Sequence, residues 1–144
     1  MKHFALRTLT GLMLATLLMA GTALADLVIV VHPSNNAVID QSFLKNLYLG
    51  NTREFSTGER AEPLDLGAGD DLRDTFLNTA IDQTPVKYRR HWSKALFTTG
   101  QQPPRELNGS AAVIDAVASN PAAIGYADAD ALNDSVKVVM RIRL

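Results

Sequence analysis

The stretch PLDLGAGDDLRDTF, Pro63 to Phe76, holds the residues best placed to do chemistry. A short apolar run, a glycine turn and the start of an apolar-periodic segment read as strand, loop and helix. The first turn of a helix presents unpaired N–H groups and about half a positive charge, so it attracts anions. Gly67 and Gly69 would let that backbone approach a ligand closely. Two aspartates stand where the anion would go. Asp71, with Asp74 three residues on, fits a capping pattern that satisfies the same N–H groups from within. The loop therefore reads first as a structural cap and second as a modified anion cradle. Arg73, one turn in, either restores positive charge or pairs with Asp70 or Asp74. In open α/β sheets ligands sit beyond the carboxyl ends of strands. The candidate ligand set is therefore Ser34, from the exit of the first strand, with Gly67, Ala68, Gly69, Asp70, Asp71 and Arg73.

A second cluster lies on the helix TPVKYRRHWSKALFTTG. Lys87, Arg90, His91 and Lys94 fall at i, i+3, i+4 and i+7 and share one face. Tyr88, Trp92, Ala95 and Leu96 form another face, with Trp92 as its anchor in the core. A basic stripe is usually solvated, and its functional alternative is meeting an acidic partner or an anionic ligand. Other chemistry finds little support. His3, His32 and His91 lack metal-ligand spacing. The acidic run YADADALND lacks the glycine and distal glutamate of a calcium loop and reads as a turn and helix cap. No nucleophile elbow or Ser/His/Asp grouping is apparent, so no catalytic residue is assigned. The absence of cysteine excludes disulfides, thiolate metal sites and thiol catalysis.

These residues need a frame. MKHFALRT is a short basic start, followed by an apolar run and the small-residue exit ALA. That pattern is a secretory leader over residues 1–25, cut between Ala25 and Asp26, and it implies a periplasmic destination. Residues 26–144 then form one domain. The formal net charge of the whole chain is −1, and losing Lys2 and Arg7 with the leader makes the exported part more acidic. Such a chain is a poor nonspecific binder of nucleic acid. Leu27–Val31 is an uninterrupted apolar run, a strand buried on both faces. Helices follow at DQSFLKNLYLG, DDLRDTFLNTAID, TPVKYRRHWSKALFTTG and SAAVIDAVASN, the last capped by Ser110. AEPLDL, Ile124 to Tyr126 and SVKVVMRIRL supply further strands, while QQPPRELNG reads as a loop. The last strand alternates as an edge strand does, except at Val139. The order β-α-β-α-α-α-β-β predicts a three-layer α/β/α domain with a mostly parallel sheet of about four strands and four helices.

The motifs in this order resemble the phosphate-type substrate-binding proteins of ABC transporters, in the type 2 periplasmic-binding-protein superfamily. The run VIVVHPSNNAVIDQSFLKNLYLGNTREFSTGERAEPLDL, then RDTFLNTAI, HWSKALFTTGQQPPREL and VASNPAAIGYADADAL carry the match, and NPAAIGYAD is its most specific piece. It spans Leu27 to Ile142. The resemblance is to the short, single-lobe members. It implies a secreted, non-enzymatic protein without cofactor. Its ligand would be phosphate or a related small oxyanion, and its partner an ABC transporter permease or another periplasmic protein. The larger members place an arginine at the strand end and then an Asp-Gly-Ser-Gly-Thr loop. Here Leu66, Gly67, Ala68, Gly69, Asp70 and Asp71 stand at those positions, without the arginine or the hydroxyls. The alternative is a single-lobe interaction module that has lost ligand binding and docks a periplasmic or membrane partner.

Overall fold

The computed structural model describes residues 26–144, so the leader and its cleavage point lie outside the described residues. The elements run β1 (Leu27–Val31), α1 (Gln41–Tyr48), β2 (Glu62–Leu66), α2 (Asp71–Ala80), α3 (Pro85–Thr99), β3 (Arg105–Leu107), α4 (Ser110–Ser119), β4 (Ala123–Asp128) and β5 (Lys137–Ile142). A 3-10 turn, Ala129–Ala131, joins the last two strands, and Asp128 caps it by accepting from the Asp130 N–H. No helix among the described residues is long and apolar enough to cross a membrane.

Local signals fix most boundaries. The Asp40 carboxylate accepts from the Phe43 N–H at 2.7 Å and opens α1. Thr84 caps α3 with Pro85 in its first turn, and Gly100 closes it at φ 70°. One cap differs from expectation. Ser110 is the first residue of α4 and Gly109 its N-cap, because the Ser110 hydroxyl instead accepts from the Asp128 N–H at 2.9 Å.

The five strands form one sheet in the order β3-β2-β4-β1-β5. β1 is an interior strand, buried throughout, and its neighbour β5 is an edge. The sheet is mixed rather than mostly parallel. β2 runs parallel to β3 and β4, whereas β1 is antiparallel to both β4 and β5. Alternating strands and helices suggested parallel crossovers, but the partners of β1 arrive at the far end of the chain. β3 falls in the stretch read as a loop, since three residues carry no usable periodicity and only pairing with β2 makes them a strand. On β5, Ile29 pairs with Met140 and Val30 with Val138. Val139 is thus the extra residue of a bulge, which accounts for the broken alternation.

Two helical layers sandwich the sheet. Tyr126 of β4 faces one way and stacks on Phe76 of α2 with ring centroids 3.9 Å apart. Gly125 faces the other way, where an added Cβ would lie 2.6 Å from Val113 of α4. That glycine allows α4 to sit directly on the sheet. Gly125→Ala should lower unfolding stability by about 1–3 kcal/mol through overpacking, read from urea denaturation midpoints. An unchanged midpoint would mean that α4 yields freely.

Candidate functional site

β2, β3 and β4 point their carboxyl ends at one rim of the sheet. Gly67–Asp70 leaves β2 there, with Gly69 at φ 88° and space around both loop glycines. The strand-end loop therefore lies at the ligand-facing rim of the sheet. Ser34 does not join it. Val31 at the exit of β1 pairs with Ile124, near the start of β4, so Ser34 stands at the opposite end of the sheet. The reversed direction of β1 causes this. The Ser34 hydroxyl there meets His32 Nδ1 at 2.7 Å.

The cap belongs to Asp70 rather than to Asp71 with Asp74. Asp70 Oδ1 accepts from the Leu72 N–H at 2.8 Å and the Arg73 N–H at 3.4 Å. Its carboxylate therefore stands where an exogenous anion would bind the helix. The N–H groups of Ala68, Gly69 and Asp71 have no acceptor among the described residues. A cavity of about 390 Å³ opens beside the loop between α2 and α3, with Ala68, Gly69, Arg73, Tyr88, Arg89 and Glu106 in its walls.

Arg73 pairs with neither Asp70 nor Asp74. It is buried, with Nε 3.4 Å from Asp65 Oδ1 and an Nη 3.7 Å from Glu106. The Asp65 contact is an ion pair without an aligned hydrogen bond, since the Nε–H points at no acceptor. The guanidinium also lies 5.3 Å from the centre of the Tyr88 ring. Asp65, the last residue but one of β2, is only 1 % exposed. It accepts from the Leu66 N–H at 2.9 Å, from the Tyr88 hydroxyl at 3.1 Å and from the Tyr126 hydroxyl. Burial, then the negative charge of Asp65, pushes the Tyr88 and Tyr126 hydroxyls well above the ordinary 10.0. The same two causes raise Tyr48, whose hydroxyl donates to the Leu64 carbonyl at 2.7 Å.

Sequence reasoning missed the Asp65 cluster. Its signal was a lone acid inside the apolar strand PLDL and an arginine in register with Leu77 and Ala80 on the inner face of α2. On α3, Lys87, Arg90 and Lys94 are exposed as expected, but His91 is partly buried. Its Nε2–H donates to the Leu49 carbonyl at 2.8 Å, tying α3 to the end of α1. Tyr88 and Trp92 are buried, while Leu96 is half-exposed and Phe97 is 92 % exposed.

The fold has clear relatives among solved structures. An ABC-type phosphate transport receptor from Vibrio cholerae superposes with TM-score 0.60 at 18% identity, over 82% of this chain and 47% of its own. A phosphate ABC transporter substrate-binding protein from Clostridium perfringens, solved with bound phosphate, superposes with TM-score 0.63 at 19% identity, over 81% and 46%. PstS from Borrelia burgdorferi gives TM-score 0.60 at 12% identity, over 82% and 48%. The chain has the fold of one lobe of these proteins. It spans under half the length of each. No family model and no curated protein matches the sequence.

All three tyrosines of the chain, Tyr48, Tyr88 and Tyr126, are buried with raised hydroxyl values. An unfolded tyrosine ionises near 10.0 while these stay protonated, so they support the fold below that pH. As pH rises above it, the unfolded state loses protons first and stability falls. In an alkaline titration, phenolate absorbance should appear only together with loss of the circular dichroism of the fold. Phenolate formed at the ordinary value in a folded chain would contradict the burial of the cluster.

Proposed function

We propose that this chain is an exported, non-enzymatic protein of the substrate-binding type that takes phosphate or a related small oxyanion and works with an ABC transporter. The observation that carries the reading is the set of unspent N–H groups at Ala68, Gly69 and Asp71, on a glycine loop at the rim where α/β sheets hold ligands. The phosphate receptors that share the fold support it. The ligand would lie on the Gly67–Asp71 loop, with Arg73 held back by Asp65 and Glu106. Binding would be weak, because one lobe buries little of a ligand and the Asp70 carboxylate opposes an anion on the same helix end.

Calorimetry with phosphate and sulfate on residues 26–144 tests this reading. Binding in the millimolar range is expected. Asp70→Ser keeps a capping side chain and removes the charge, so it should tighten phosphate by about two- to fivefold. No heat in either protein would remove the proposal.

A second reading, a docking module without ligand, rests on a different face. α3 exposes Lys87, Arg90 and Lys94 together with Phe97, which no contact within this lobe covers. Reversing those three charges should abolish capture of a periplasmic partner and leave phosphate heats unchanged. Capture that survives the reversal would discard this version.

A further inference from the structure

A second cavity lies away from the rim, toward the amino end of β2, and its volume is about 260 Å³. Its origin is local. β3 pairs only with Leu64–Leu66, so the first residues of β2 have no neighbour on that side. Pro63 cannot donate to a ladder there, and neither can Pro103 or Pro104 in the incoming segment. The gap left beside the sheet is walled by these prolines and by Trp92 of α3. Gly50, at φ 76°, closes against the Trp92 ring, and the Gln101 side-chain amide donates to its carbonyl at 2.9 Å. This wall is therefore a packed one.

Three arginines line the gap: Arg53 and Arg60 from the loop before β2, and Arg105 at the start of β3. None forms an ion pair among the described residues, whose four ion pairs involve Lys45, Arg73 and Arg141 only. The one carboxylate of the lining, Glu62, accepts from the Asn120 amide at 2.9 Å. Gathering like charges around one concavity raises the local concentration of counter-anions. Guanidinium groups match the planar or tetrahedral oxygens of carboxylate and phosphate in a bidentate way. At the rim Arg73 is paired with Asp65 and the helix end is capped by Asp70, so Arg89 is the one arginine of that cavity wall without a carboxylate partner among the described residues. We propose that this arginine-lined gap is a separate binding site for a small organic oxyanion, a carboxylate or phosphate carried on an apolar or aromatic body. The charged group meets Arg53, Arg60 and Arg105, and the apolar body lies against Trp92 and the prolines. The site is independent of the phosphate reading of the rim.

Trp92 is the sole tryptophan, so its fluorescence reports on the gap. Phenyl phosphate and benzoate, titrated against residues 26–144, should each give a saturable change, and the tighter of the two identifies the preferred oxyanion. Inorganic phosphate, without an apolar body, should bind this site more weakly than phenyl phosphate. Arg60→Glu with Arg105→Glu should weaken the aromatic ligands by about tenfold or more, with the thermal unfolding curve showing a folded protein. If that pair unfolds, Arg60→Gln alone should still weaken them measurably. The absence of a saturable change with either probe overturns the proposal. So does binding that persists at full strength in the folded charge-reversed protein, because Trp92 also borders the rim cavity and would then be reporting from there.

Discussion

The buried carboxylate of Asp65 is the constraint around which this half of the molecule is arranged. A charge buried within a strand is tolerated only when its oxygens are satisfied. Three elements send groups to it: Arg73 from α2, Tyr88 from α3 and Tyr126 from β4. Breaking such a pair from one side typically costs about 3–5 kcal/mol, because the remaining charge is left buried. The cluster thus locks α2 and α3 onto the sheet in one arrangement, where apolar packing alone would tolerate sliding. It also withdraws Arg73 from the rim, so the one cation of the loop helix serves the core.

That withdrawal shapes what the rim can do. The fold is that of one lobe of a phosphate receptor, and its glycine loop lies at the rim where α/β sheets hold ligands. Yet Asp70 occupies the helix end and Asp65 holds Arg73, which leaves backbone N–H groups and the Arg89 guanidinium of the cavity wall for an incoming anion. Three guanidiniums without carboxylate partners among the described residues line the gap in the sheet edge beside Trp92. The two ends of β2 therefore differ in electrostatic character. The glycine end is self-neutralised and the proline end is cationic.

Much of the fold was legible in the sequence because local rules govern it. Asp40, Thr84 with Pro85, and Gly100 mark helix ends through capping and φ constraints acting over a few residues. The continuous apolar run of β1 announces a strand buried on both faces, and Val139 breaks the alternation of the last strand at the residue that proves to be a bulge. The strand–glycine–helix unit around Gly67 was readable for the same reason. The identity of its capping residue was not, since adjacent aspartates at Asp70 and Asp71 offer the same chemistry and only backbone angles choose between them.

The sequence by itself determined every element except β3, the apolar layers and the presence of an anion-attracting helix start, since these depend on neighbours within a turn or a strand. Tertiary structure alone decided the direction of β1, the existence of β3, the parting of Ser34 from the glycine loop, and the partners of Asp65. Each of those depends on pairing between segments distant in the chain. In such pairings the favoured contact is the one that satisfies buried polar groups across the whole fold, and no local pattern records that choice.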